Sequence, residues 1–258
     1  ELREKVVDAE IELRTTPEEA VEIAIKRLPS THNAEIAHAI STCRINNIRV
    51  TQRIISTINR ILANINKPSQ QLLARVVPST TLLTAIYLDG MEDPPTIEFV
   101  LRAGLPEKTG TQSDPRSDLG EDSQKSPGTE NWHQLLLNLG IFGCDEYETL
   151  LIDFLETGML DESRLSTVVQ NYASEEQKLV ASNSCRLLRA EIYWNWRKTD
   201  ADLLRDAEEL SKLASQLSIG DCSSLIEALS EIPNSQPICD RFLDAAASNI
   251  RDTSPEVD

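Results

Sequence analysis

Apolar residues recur every three or four positions along most of this chain, which is the spacing of one face of an α-helix. The clearest run lies between Asn47 and Pro68, where isoleucine and leucine return at helical intervals. Residues typical of helix ends flank several runs: Thr16 and Pro17 precede one helix, and Gly158 follows another. The pattern therefore predicts a mainly α fold.

Before residue 106 the pattern predicts five helices: Thr16 to Pro29, Ala34 to Cys43, Asn47 to Pro68, Gln70 to Leu88, and a short one over residues 94–103. Pro78 lies inside the fourth, so a kink or a break is expected there. Further on, helices are predicted to open at Asp145, Asp161, Ser174, Thr199 and Asp221, followed by a last one around Phe242. The helix from Ser174 is expected to run through Trp196, and the helix from Thr199 to end near Gly220.

Two segments depart from the helical pattern. Residues 6–13 end in strict alternation and predict one short strand. Between Pro106 and Asn131 the only large aliphatic residue is Leu119, which is too little apolar surface to offset the entropy of ordering, so a disordered linker is predicted. The expected organisation is therefore a strand over 1–14, a helical domain over 15–105, a linker over 106–131 and a second helical domain over 132–252.

The charge balance narrows the classes of partner. The formal net charge is −17, so phosphate backbones and anionic membranes should repel the chain, and neither direct nucleic-acid binding nor membrane binding is expected. No apolar run is long enough to span a bilayer and no signal peptide is visible, which favours the cytoplasm. Five scattered cysteines without a C-x-x-C pair predict free thiols and no metal site.

The phosphate-binding loop of nucleotide hydrolases requires a glycine directly before a lysine, and none of the nine glycines here precedes a lysine. The chain by itself is therefore not expected to hydrolyse ATP. No catalytic residue is assigned in it.

Asn47 and Arg49 form the candidate binding site. Asn47 can cap the helix that follows, and Arg49 then lies on its first turn, where the helix dipole favours an anion. Arg53 lies one turn further on and can share the same face. The simpler alternative is an exposed arginine with no ligand.

Tyr193, Trp194 and Trp196 form an aromatic cluster near the end of a predicted helix. Such residues are common anchors of protein interfaces, although packing in a helical core is an alternative. The scarcity of aromatics elsewhere favours the core, but this cluster holds more aromatic area than one small bundle usually buries. We therefore expect one of these tryptophans to be accessible and to mediate contact with a protein partner or another subunit.

The order of features near the N-terminus resembles the join between the last core strand and the helical lid of AAA+ P-loop ATPases. The stretches that carry the likeness are Arg3-Glu4-Lys5-Val6-Val7, a strand ending at Leu13, a capped helix, and Asn47-Ile48-Arg49-Val50. The likeness is nearest to the KAP-type ATPases of bacteria and covers about residues 1 to 90.

This resemblance implies that residues 1–14 are the last strand of an ATPase core that precedes Glu1, and that residues 15–105 are its lid. Arg49 would then be the sensor arginine that contacts the nucleotide, and ATP and magnesium would bind only with the missing upstream domain. Several members of that group serve in defence against phage or plasmids, often as oligomers with a C-terminal extension.

Two functions are thus expected from the sequence. The first is the lid and C-terminal extension of an ATP-hydrolysing parent protein, sensing nucleotide and mediating assembly. The alternative is a non-enzymatic, acidic, helical protein-interaction module with a basic partner.

Overall fold

The computed structural model describes residues 15–102, 127–194 and 197–253, and it contains no β-strand in those ranges. Nearly all of these residues are α-helical or connect helices, which confirms the predicted mainly α fold. The strand predicted over residues 6–13 and most of the predicted linker lie outside the described residues. The last five residues assigned to the linker, 127–131, belong to a helix that begins at Pro127.

Eleven α-helices occur in the described ranges. In the first part of the chain they are α1 (Pro17–Arg27), α2 (Asn33–Thr42), α3 (Ile48–Leu62), α4 (Gln70–Tyr87) and α5 (Ile97–Leu101). After residue 126 they are α6 (Pro127–Leu139), α7 (Glu146–Thr157), α8 (Glu162–Trp194), α9 (Asp200–Ser211), α10 (Ile219–Leu229) and α11 (Gln236–Thr253). A single 3-10 turn, Ala214–Gln216, lies between α9 and α10.

Helix ends follow the capping signals closely. Thr16, Asp145 and Thr199 each begin a helix with a reciprocal capping box, in which the side chain three residues later bonds back to the cap. Gly158 ends α7 in the left-handed conformation, with φ of 72°. These predicted helix ends are confirmed because capping depends only on neighbouring residues.

Of the kink or break predicted at Pro78, the break does not occur, since α4 continues through it from Gln70 to Tyr87. A proline inside a helix costs about 3 kcal/mol. Helix α4 offsets this by burying six large aliphatic side chains, each contributing about 1.5–3 kcal/mol when fully buried. The six are Leu72, Leu73, Val76, Val77, Leu82 and Leu83.

Three other predicted boundaries were wrong. One continuous helix, α8, replaces the two predicted from Asp161 and Ser174, because the intervening segment contains neither glycine nor proline. Helix α9 ends at Ser211 instead of near Gly220, and Gly220 lies inside α10. The cap of α10 is Ser218, whose hydroxyl accepts a hydrogen bond from the Asp221 N–H at 3.0 Å.

The chain divides into two compact units, Glu1–Val169 and Gln170–Asp258, and the boundary falls within α8. The first unit holds α1 to α7 and packs α1, α2, α3 and α4 around a shared core, with α7 against α4 and α6 against α2. This division differs from the expected one, which placed everything from residue 132 in a second domain.

A buried ion pair couples α4 to α7 in the first unit. Two oxygens of Glu148, a fully buried residue, accept hydrogen bonds from Arg75 at 2.5 and 2.7 Å. One turn of α4 away, the Thr80 hydroxyl bonds the buried Tyr147 hydroxyl at 2.6 Å. Asp145 adds a second carboxylate 3.3 Å from Arg75. Side chains such as these decide which helices pack together.

The second unit is built around a core supplied by the later part of α8, by α9, α10 and α11, and by the 3-10 turn. Its buried residues include Ala181, Cys185 and Leu188 of α8 and Phe242 of α11. The inward residues of α8 recur at positions 181, 185, 188 and 192, which is one face of a helix.

Replacing Arg75 with methionine should destabilise the protein by about 3–5 kcal/mol, because the Glu148 carboxylate is then buried without its partner. Chemical denaturation of the variant measures this directly. A matched control is Lys26→Met, which breaks the exposed pair with Glu22 and should change stability far less, because solvent screens that pair. The double variant Arg75→Met/Glu148→Leu should regain part of the loss, because it removes the unpaired carboxylate but also the bond from Glu148 to the Asp145 N–H. Equal effects of Arg75→Met and Lys26→Met would contradict the importance of the ion pair.

Candidate functional site

Asn47 caps α3 as predicted. Its side-chain oxygen accepts hydrogen bonds from the N–H groups of Arg49 at 3.0 Å and Val50 at 3.4 Å. These are two of the first-turn donors that an anion at the helix N-terminus would otherwise use. Any anion bound here would therefore rely mainly on the arginine side chain.

Arg49 and Arg53 are both exposed, one helical turn apart. Within the described ranges, neither guanidinium makes a hydrogen bond or an ion pair. The two residues have different surroundings, because Arg53 lines a cleft and Arg49 does not. The structure therefore groups Arg53 with the residues that line this cleft, which include neither Asn47 nor Arg49.

The cleft lies among α3, α4 and the C-terminal end of α7 and has a volume of about 160 Å³. Its lining consists of cationic, hydroxyl-bearing and apolar residues: Arg53, Ser56, Thr57, Arg60, Thr84, Tyr87, Leu88, Phe154, Leu155 and Gly158. None of these ten is acidic. The name arginine cleft is used for this site below.

Arg60 is held in place within the arginine cleft. Its Nη1 donates a hydrogen bond to the Gly158 carbonyl oxygen at 3.2 Å, and its guanidinium carbon lies 4.8 Å from the centre of the Phe154 ring. The latter distance is within the range of a cation–π contact. A guanidinium fixed in this way loses little further freedom when it binds an anion.

Thr84 lines the same cleft, is fully buried, and has a hydroxyl without a hydrogen-bond partner. Its neighbour one turn earlier, Thr80, instead donates to the Val76 carbonyl oxygen at 2.7 Å. A buried hydroxyl left unpaired costs about 1–3 kcal/mol. Thr84 is therefore a donor available to a group that enters the cleft.

The sequence indicates one part of the arginine cleft, its two arginines, but does not indicate the part that comes from α7. Arg53 and Arg60 are seven residues apart on one helix, so they share a face. Phe154 and Gly158 belong to the end of α7, about seventy positions beyond α4 in the chain. No local sequence pattern predicts that they lie beside α4.

The aromatic cluster lies on the exposed side of α8. Trp194 is 83% exposed and Tyr193 is 51% exposed, and α8 ends at Trp194. Trp196 lies outside the described residues. The expectation that one tryptophan of the cluster is accessible is confirmed by Trp194.

Other large apolar residues share this exposed side of α8. Leu179, Val180 and Leu187 are about half exposed or more, and they lie opposite the inward positions that pack in the core. A helix that is apolar on two opposite faces is normally covered on both. The term outer face of α8 is used below for the set Leu179, Val180, Leu187, Tyr193 and Trp194.

A groove of about 490 Å³ runs beside this face, between α8 and α9. It is lined by Ser184, Leu187, Leu188, Glu191, Asp206, Glu209, Leu210 and Leu213. Lys198 donates to Glu191 at 2.5 Å and to Asp206 at 2.7 Å, which raises the pKa of this lysine through both hydrogen bonds. The lining of the groove thus combines four leucines with three acidic residues.

The five cysteines are free thiols, as predicted. Burial raises the pKa of Cys43 to about 12, and burial together with the nearby Glu148 carboxylate raises the pKa of Cys144 to about 12. Reactive cysteines have a lowered pKa. These two thiols are consequently poor nucleophiles at neutral pH.

Across the described parts of the chain, no three metal-ligating side chains lie close enough together to hold an ion. The same residues include no helix with the length and apolar content needed to cross a bilayer.

Comparison with known proteins gives no assignment. No protein-family model matches the chain, and neither the curated proteins nor the solved structures include a match. The resemblance to KAP-type ATPases stays a prediction, and function must be inferred from the sites themselves.

Replacing Trp194 with phenylalanine should remove a large part of the quenchable tryptophan fluorescence, because this indole is the more exposed of the two described tryptophans. Acrylamide is the suitable quencher, since the negative chain repels iodide. The control is Trp132→Phe, whose indole N–H donates to the Asp93 carbonyl oxygen at 3.2 Å and whose ring contacts Phe99. An unchanged Stern–Volmer slope in Trp194→Phe would contradict the exposure of this residue.

Proposed function

We propose that this chain is a helical protein-interaction module, and that its contact surface is the outer face of α8. The observation that carries the proposal is the exposure of five large apolar side chains on one side of a helix whose other side is already buried. Exposed apolar surface of this kind is characteristic of a docking site.

The occupant that fits best is a basic amphipathic helix of another protein. A helix can place its own apolar stripe against residues spaced as Val180, Leu187 and Trp194 are, at intervals of seven. The partner helix is expected to be basic because the net charge of −17 attracts a cationic partner and repels a second copy of the chain.

Partner preferences follow the same electrostatic reasoning. Nucleic acid and anionic membranes are unsuitable partners for so acidic a chain, and a cytoplasmic location stays part of the proposal.

A synthetic peptide tests the docking site on the full chain. An 18-residue helical peptide with leucine on one face and lysine elsewhere should bind saturably and shift the Trp194 emission to shorter wavelength, and added salt should weaken binding. Leu187→Asp should weaken binding about tenfold or more, since burying a leucine contributes about 1.5–3 kcal/mol. Leu243→Asp is the matched control, because Leu243 is similarly exposed on α11.

Three outcomes would overturn this proposal. The scrambled peptide of identical composition could bind equally well, which would indicate charge attraction alone. Leu243→Asp could weaken binding as much as Leu187→Asp. Light scattering could reveal a dimer that Leu187→Asp dissociates, which would assign the outer face of α8 to a second copy of the chain.

A second function, nucleotide sensing by α3, is supported by Arg49, which is exposed and whose guanidinium is unpaired within the described residues. In this proposal the first unit is the lid of a KAP-like, ATP-hydrolysing parent that acts in defence against phage. Arg49 would offset negative charge on the γ-phosphate during hydrolysis. ATP and magnesium would be held by the upstream core.

The reading frame upstream of Glu1 tests this function first, because a G-x-x-x-x-G-K-[ST] motif is required there. In that longer protein Arg49→Ala should lower the ATPase rate by about tenfold or more. Arg27→Ala, an exposed arginine at the end of α1, is the control and should leave the rate unchanged. Unchanged turnover in Arg49→Ala would refute the sensor role.

A further inference from the structure

The arginine cleft is not explained by the outer face of α8 or by Arg49. Two cationic side chains line it and none of its lining residues is acidic, in a chain with 42 acidic and 25 basic residues. Arg53 and Arg60 lie two turns apart on one face of α3, so both cationic side chains line the same cleft.

A second observation points to a ligand in the same place. The Thr84 side chain lines the cleft, yet its buried hydroxyl has no hydrogen-bond partner. Threonine in a helix has two accessible χ1 positions, so the position of this hydroxyl can adjust when a ligand binds. Unpaired buried polar groups are rare, and an absent ion or ligand is one of their recognised explanations.

We infer that the arginine cleft binds the phosphoryl dianion of a small molecule. Arg53 supplies an exposed cation, Arg60 supplies a guanidinium fixed by Gly158 and Phe154, and Thr84 supplies a hydroxyl. Guanidinium groups match phosphate oxygens in geometry, and such charge-assisted bonds are the strong ones.

The size and lining of the cleft agree with this ligand. A single water needs about 10–15 Å³ of cavity, so about 160 Å³ accommodates a phosphoryl group with its substituent. Leu88, Phe154 and Leu155 provide an apolar wall for an organic group. Inorganic phosphate and an organic phosphate monoester both carry this phosphoryl group. The apolar wall favours the monoester.

Calorimetric titration of the full chain with inorganic phosphate and with phenyl phosphate tests the inference. Both should bind at one site, phenyl phosphate more tightly because its ring contacts the apolar wall. Arg53→Gln should weaken both about tenfold to a hundredfold, since a hydrogen bond between charged groups is lost. Arg27→Gln, outside the cleft, should bind like the parent chain.

Thr84→Val separates ligand binding from folding. It keeps the shape of the side chain and removes the unpaired hydroxyl, so it should raise the melting temperature without ligand while weakening phosphate binding. If inorganic phosphate and phenyl phosphate bind with equal affinity, the ligand is inorganic phosphate. This outcome still supports a phosphoryl site in the arginine cleft. The inference is overturned if neither ligand binds at about 10 mM, or if Arg53→Gln and Thr84→Val both bind phosphate as tightly as the parent chain.

Discussion

Glu148 keeps its carboxylate fully buried because Arg75 donates to both of its oxygens. An unpaired carboxylate in that position would be strongly unfavourable, so α4 and α7 must meet in one register for the first unit to fold. Glu148 also accepts a hydrogen bond from the Asp145 N–H at 2.9 Å, which ties the ion pair to the start of α7. One side chain thus sets both the beginning of a helix and its packing partner.

The arginine cleft depends on this arrangement. Its walls come from α3 and α4 on one side and from the end of α7 on the other, so its lining exists only when α7 is seated against α4. Arg60 reaches the Gly158 carbonyl oxygen because Gly158 ends α7 at that point. The ion pair therefore supports a site that it does not itself line.

The second unit presents a different physical situation, in which the fold leaves apolar surface uncovered. Helix α8 buries Ala181, Cys185 and Leu188 in the core, while Leu187 and Trp194 remain on its other side. These exposed residues lie outside the core of the unit, and this exposure is the basis for the docking surface proposed on α8.

The sequence by itself determined the helical content, the caps at Thr16, Asn47, Asp145 and Thr199, and the candidate residues Arg49 and Trp194, because these depend on near neighbours and on residue type. Only the tertiary structure decided that α4 continues through Pro78, that α7 belongs with α4, and that Arg53 and Arg60 share a cleft with Thr84 and Phe154. Burial, ion pairing and clefts join residues far apart in the chain, and helical periodicity contains no information about which faces will meet.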